Sequence, residues 1–141
     1  MPANVLVVDD SGTMRGMIKR TLAMSGLNIG EVYEAANGIE ALAQMHQHDI
    51  SVVLLDINMP VMNGVRLVQR IRDDQRLCKI PVIIASTEGS ETRIQELMAA
   101  GARGFVRKPF RPEQLRDVMT PIIGTRAQDV PAFSNEDDTT F

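Results

Sequence analysis

Three aspartates in this 141-residue chain stand directly behind apolar runs. Asp9 and Asp10 follow Val5-Leu6-Val7-Val8, and Asp56 follows Val52-Val53-Leu54-Leu55. Four consecutive aliphatic residues are the pattern of a strand buried on both faces. An acid immediately after such a strand is carried to the carboxyl edge of its sheet. Where two central strands are neighbours, their acids meet. Carboxylates gathered in a cleft of low dielectric repel one another. A hard divalent cation relieves that repulsion, and Mg²⁺ takes one or two carboxylates, a carbonyl and waters in octahedral array. The competing reading is three separate, solvated loop aspartates, which their shared place at strand ends disfavours.

A hydroxyl and an ammonium arrive at the same edge. Val82 to Ala85 reads as a strand closing in Ser86, and Arg103 to Val106 as one leading through Arg107 to Lys108-Pro109. Lysine offers a compact positive charge to a phosphoryl oxygen, and serine offers a donor to another. Alone, Ser86 reads as a strand-end cap and Lys108 as a solvated lysine. Beside the acids they complete a set suited to phosphoryl transfer: an ionised nucleophile, cation ligands and donors.

These residues need a scaffold that brings strand ends together. Glu31 to Ala35 supplies a fifth strand. Between the strands, apolar residues recur at helical spacing: Met14, Met17, Ile18 and Leu22; Ile39, Leu42 and Met45; Val65, Val68 and Ile71; Ile94, Leu97 and Met98; Leu115, Val118, Met119 and Ile122. Each set predicts one buried helix face. Asn37-Gly38, Asn63-Gly64 and Gly101 mark turns and caps, and Pro112 opens the last helix. Strands alternating with helices predict an α/β fold with a mostly parallel sheet and helices on both sides. Sites in such folds form beyond the carboxyl ends of the strands.

The bulk composition excludes several classes of function. With a net charge of −3 and no basic stripe, neither nucleic acid nor anionic membrane is expected as a partner. No apolar run approaches the length of a bilayer span. The single cysteine, Cys78, permits no internal disulfide, which suits a reducing cytoplasm. The nine methionines read mostly as core filler, and His46 and His48 as surface residues. Residues 1–124 are expected to form one domain, with 125–141 a flexible acidic tail carrying Glu136-Asp137-Asp138.

Four motifs occur in order: Val8-Asp9-Asp10-Ser11 with Met14-Arg15; Asp56-Ile57-Asn58-Met59-Pro60-Val61-Met62-Asn63-Gly64; Ser86 closing a strand opened by Pro81; and Gly101-Ala102 leading to Lys108-Pro109-Phe110. Over residues 4 to 123 the chain thereby resembles the receiver domain of two-component response regulators, especially the CheY-like single-domain members of bacterial chemotaxis. The resemblance implies a flavodoxin-like, doubly wound (βα)5 fold, with five helices around a five-stranded parallel sheet in strand order 2-1-3-4-5. It implies Asp56 as phosphoacceptor, assisted by Lys108 and Ser86. Metal ligation falls to Asp10, Asp56 and the backbone carbonyl of Asn58, with Asp9 acting mainly through metal-bound water. The cation is Mg²⁺, with Mn²⁺ as a substitute.

Ser86 and Phe105 take the switch positions, and Asn58 and Glu88 the positions that tune phosphoryl lifetime, here seconds to minutes. Thr87 stands where the family carries a smaller residue, a departure that bears on access to the acceptor. The Lys108-Pro109 peptide is expected to be cis. The implied partners are a histidine kinase as phosphodonor and a downstream protein such as a flagellar motor switch protein. The latter would bind the face of the fourth helix, fifth strand and fifth helix. A monomer that modifies only itself is expected, rather than an enzyme acting on other substrates.

Other roles remain beside this one. A phosphorelay intermediate or an adaptor for another regulatory enzyme would share the same motifs. A Mg²⁺-dependent phosphohydrolase of the haloacid-dehalogenase type would place Asp-x-Asp on the first strand, whereas here Asp56-Ile57-Asn58 follows the third. A flavodoxin would require a hydroxyl- and glycine-rich loop and stacking aromatics, but the chain has no tryptophan and one tyrosine. A receiver-like module that only binds partners would not need the intact Asp10, Asp56 and Lys108.

Overall fold

A computed structural model describes residues 2–56, 64–86 and 91–123. Asn58, Asn63, Thr87, Glu88 and the segment 125–141 lie outside the described residues, as does the side chain of Val65. Strands and helices alternate as β1 (Ala3–Val8), α1 (Gly12–Ala23), β2 (Ile29–Ala35), α2 (Gly38–Gln47), β3 (Val52–Leu55), α3 (Gly64–Asp73), β4 (Val82–Ser86), α4 (Glu91–Ala100), β5 (Gly104–Arg107) and α5 (Pro112–Ile123). The strands form one parallel sheet in the order β2-β1-β3-β4-β5. This is the α/β architecture and strand order expected.

The central strands β1, β3 and β4 carry the continuous aliphatic runs because both of their faces are covered. Their side chains alternate between two cores. Leu6, Val8, Val53, Leu55, Val82 and Ile84 pack with Ala41, Met45, Leu67, Val68 and Leu97 from α2, α3 and α4. Val5, Val7, Val52, Leu54, Ile83 and Ala85 pack with Ile18, Leu22, Leu115 and Met119 from α1 and α5. Each fully buried leucine, such as Leu6 or Leu54, contributes about 2 kcal/mol relative to an exposed one. The edge strand β2 is largely half-buried or exposed and begins two residues before the stretch expected for it.

Three helix faces sit differently from their predicted centres. Met17, Ile39 and Met98 were assigned to buried faces, yet 45%, 59% and 42% of their surfaces are exposed. Each is one residue away from a true contact position: Ile18 in α1, Gly38 in α2 and Leu97 in α4. One residue turns about 100° around a helix, enough to move a side chain from sheet to solvent. In α2 the contact is made by Gly38, Ala41 and Met45, whose two small members draw the helix close to the sheet. The methionines are likewise less internal than expected. Among those described, Met45 and Met119 are buried and Met14 is half-buried against the core, while Met17, Met24 and Met98 are exposed.

Local chemistry sets the helix ends. Ser11 caps α1 by accepting from the N–H of Met14 at 3.1 Å, and Asn37 caps α2 by accepting from that of Glu40 at 2.9 Å. Gly101, at φ 126°, ends α4 in a conformation that a side chain would strain. Arg72 of α3 reaches the carbonyls of Ala99 and Ala100 at 3.2 and 3.1 Å, covering the C-terminal end of α4. Both histidines lie at the C-terminal end of α2. His46 pairs with Asp74 at 3.1 Å, and His48 stacks on Tyr33 with ring centroids 4.1 Å apart.

Candidate functional site

Parallel pairing in register brings the strand-end residues together. Val8 stands opposite Leu55, so Asp9 and Asp56 leave neighbouring strands at the same level. The Asp56 N–H donates to the Val8 carbonyl at 2.9 Å, and the Asp9 N–H to the Ala35 carbonyl at 3.0 Å. The ladder thus continues past β1 and β3 and fixes the backbone from which the acids project. One carboxylate oxygen from each of Asp9, Asp10 and Asp56 lies within 4.8 Å of the others. The reading as scattered loop aspartates is excluded.

The three acids differ in environment. Asp9 is buried, Asp10 is exposed, and the Asp56 side chain keeps 12% of its surface open to solvent. Asp9 has both oxygens engaged: Oδ1 accepts from the Ser11 N–H at 3.0 Å, and Oδ2 from the Lys108 ammonium at 2.5 Å. Lys108 is held by its backbone N–H, which donates to the Ser86 carbonyl at 2.9 Å, and the Lys108-Pro109 peptide that follows is cis. Its Nζ lies 3.9 Å from Oδ1 of Asp56. The lysine therefore reaches the acidic cluster, but its nearest partner is Asp9. A carboxylate buried this deeply requires a close counter-charge.

Ser86 is completely buried at the end of β4. Phe105 pairs with Ile84 and packs against the core on the α2–α4 side. Strand alternation puts Ser86 on the same side of β4 as Ile84, so the two proposed switch residues share a face of the sheet. Asn58 and Glu88, the remaining site residues inferred from the sequence, fall outside the described residues. A cavity of about 610 Å³ lies between α3 and α4 beside Arg72 and Glu96. It is remote from the carboxylates, so the chemistry is located by the acids and not by the size of a hollow.

Sequence reasoning missed one part of the neighbourhood. Glu34, the penultimate residue of β2, accepts from Arg15 Nε at 2.9 Å and Lys19 Nζ at 3.2 Å. The signal was present in the pairing pattern: Glu34 stands opposite Val7, on the α1 side, facing basic residues four apart on that helix. Arg15 chiefly, with help from Lys19 and against burial, holds the Glu34 carboxyl below its ordinary value.

Residues 5–120 match the family model described as the response regulator receiver domain. The chain belongs to that family. It is a CheY-like receiver, 40% identical over 122 residues to the chemotaxis protein CheY1 of Helicobacter pylori, with 86% of this chain and 97% of the relative covered. A crystal structure of chemotaxis protein CheY4 from Vibrio cholerae shares 38% identity and a TM-score of 0.77 with this receiver, over 86% of this chain and 99% of that one. A chain in the CheX-CheY-BeF3-Mg complex of Borrelia burgdorferi is 27% identical with a TM-score of 0.78, covering 86% of this receiver and 90% of that chain.

The donor set of this receiver suits a magnesium ion. All three acids offer hard oxygen ligands, and ligands opposite each other across Mg²⁺ stand about 4.2 Å apart. Oxygens gathered within 4.8 Å match that size after small adjustments. Among the described residues no helix is long and apolar enough to cross a membrane.

Proposed function

We propose that this receiver accepts a phosphoryl group on Asp56 and, once modified, changes its affinity for a downstream protein, most simply in chemotaxis. The observation that carries the reading is the gathering of Asp9, Asp10 and Asp56 within 4.8 Å, with the Lys108 ammonium 3.9 Å from Asp56. The donor is a phosphohistidine on a kinase. An ionised Asp56 oxygen attacks phosphorus, the phosphorus–nitrogen bond breaks, and its electron pair leaves with the imidazole. No general base is required, because the attacking carboxylate carries no proton.

Mutual repulsion between carboxylate and phosphoryl oxygens is the main obstacle to this step. Asp10, Asp56 and the Asn58 carbonyl would hold a divalent cation, which would supply charge neutralisation there. Asp9, whose oxygens are both engaged, suits an indirect role through water. Lys108 contributes a positive charge to the phosphoryl oxygens, and the Ser86 hydroxyl a donor. Water later cleaves the acyl phosphate, with Asn58 and Glu88 setting a lifetime of seconds to minutes.

Modification adds negative charge where β3 and β4 end. Ser86 turns towards it, and Phe105, on the same sheet face, takes the space released. That shift remodels the surface of α4, β5 and α5, where a motor switch protein or comparable target binds. The related CheY chain in the CheX complex supports an output through partner binding. A cytoplasmic, monomeric signalling protein that modifies only itself accords with this chemistry. Residues 1–124 serve as the domain, and 125–141 carry the acidic run Glu136-Asp137-Asp138.

The test is incubation with Mg²⁺ and acetyl phosphate or a purified histidine kinase, followed by intact-mass and peptide mass spectrometry. One phosphoryl group on Asp56, absent from Asp56→Asn and from samples containing chelator, is the expected result. An unmodified wild-type protein, or a variant modified as readily, overturns the proposal.

A further inference from the structure

Arg15 takes no part in the phosphoryl chemistry, yet it touches the backbone that carries two of the acids. It sits in the first turn of α1, where its own N–H donates to the Ser11 carbonyl at 3.0 Å. Its side chain turns back over the strand ends. Nη1 donates to the Asp9 carbonyl at 2.6 Å, and Nε donates to Glu34 Oε1 at 2.9 Å. The second Glu34 oxygen is held by Lys19 at 3.2 Å. One guanidinium therefore joins α1, the end of β1 and the edge strand β2.

The Asp9 carbonyl belongs to the peptide unit linking Asp9 to Asp10. Fixing that carbonyl fixes the plane from which both carboxylates leave the chain. The Asp9 side chain is already held by Ser11 and Lys108. Asp10 is exposed, and among the described residues no side chain holds its carboxylate, so its aim depends on the backbone before it. Gly12 leaves room for the arrangement: a Cβ there would stand 3.3 Å from Arg15 Nη2. Glu34 remains ionised at neutral pH and orients the guanidinium from the other side.

We infer that Arg15, oriented by Glu34, is a positioning residue for the divalent-cation site, setting the direction of the Asp10 carboxylate through the Asp9–Asp10 peptide. The inference rests on the reading that Asp10 and Asp56 bind a cation. Electrostatics alone predicts the opposite sign, which makes the two accounts separable. A guanidinium close to a dication repels it, so removing a charge with no positioning role would tighten binding.

The experiment measures Mn²⁺ binding by electron paramagnetic resonance, and Mg²⁺ binding by calorimetry. The proteins are wild type, Arg15→Ala, Arg15→Lys, Glu34→Ala and the Arg15→Ala/Glu34→Ala double variant. Urea unfolding of each, without metal, identifies loss of folding. Removing a group that orients a metal ligand weakens binding by about 10-fold or more, and that loss is expected for Arg15→Ala. Lysine keeps the charge but lacks the fork that spans carbonyl and carboxylate, so Arg15→Lys is expected to stay weak. The double variant is expected to be no weaker than Arg15→Ala, because the two residues act as one device.

Unchanged or tighter binding in Arg15→Ala, recovery in Arg15→Lys, or independent additive losses would each overturn the inference. If Arg15→Ala does not fold, Arg15→Lys and Glu34→Ala decide it, with wild-type affinity in both counting against it. A wild-type protein that binds neither ion defeats the underlying cation reading instead, a distinct outcome seen before any variant is compared.

Discussion

The Lys108 ammonium lies 2.5 Å from Oδ2 of Asp9 and 3.9 Å from Oδ1 of Asp56, with all three side chains largely or completely removed from solvent. This unequal sharing gives the lysine a structural duty besides its proposed chemical one. It neutralises the most deeply buried acid of the cluster while remaining within reach of Asp56.

Replacing Lys108 with Met is therefore expected to destabilise the protein by about 3 kcal/mol, since it leaves the Asp9 carboxylate buried without its counter-charge. Urea unfolding in chelator measures this. Saturating Mg²⁺ is expected to restore more stability to the variant than it adds to wild type, because the cation replaces the lost positive charge. Equal increments in the two proteins would separate Lys108 from the cation site.

Asp10 makes the opposite case. Exposed, yet with an oxygen within 4.8 Å of two other carboxylates, it adds repulsion in the absence of a cation. Asp10→Asn is expected to raise the thermal midpoint in chelator by roughly 3 °C and to weaken Mg²⁺ binding by about 10-fold or more. Calorimetry of unfolding and of binding reads both effects. A variant that melts lower and binds Mg²⁺ as well as wild type contradicts the prediction.

Phe105 is half-buried against the core beneath α4. Truncation to Ala is expected to cost about 2 kcal/mol, below the range for a fully buried phenylalanine. Phe105→Ala should still accept a phosphoryl group on Asp56 while losing the gain in partner affinity that follows. Equal affinity of phosphorylated wild type and variant for the same target would refute the coupling.

The Glu34 carboxyl lies below its ordinary 4.5, chiefly through the hydrogen bond from Arg15. A group lowered on folding binds fewer protons in the native than in the unfolded state, so it adds stability as pH rises. Its contribution is complete above 4.5 and disappears as pH falls through the lowered native value. The stability gap between wild type and Glu34→Gln is expected to narrow as pH falls below 4.5 through the lowered native value. Because the side chain is 36% exposed, the effect is modest. A gap that widens on acidification is the contrary result.

The sheet could be read from the chain because β1, β3 and β4 are covered on both sides, and burial writes itself as unbroken aliphatic runs. The acids were legible for a related reason: a charged residue after such a run has one place to go. Helix orientation was harder to read. In α2 two of the three true contacts, Gly38 and Ala41, are small residues that carry little weight in a hydrophobic pattern, so Ile39 drew the face aside although Met45 was placed correctly. Pairings between side chains were harder still. That Lys108 prefers Asp9 to Asp56, and that Arg15 meets Glu34, depends on distances fixed by three or more elements at once.

Arg72 gives α4 a mechanical asymmetry. Its guanidinium pins the last carbonyls of the helix to α3, while the opposite end begins at Glu91, shortly after Ser86 on the chain. A rigid rod fastened at one end swings most at the other. If α4 shifts on modification of Asp56, a helix held at Ala99 and Ala100 is expected to tilt about that end more than to slide.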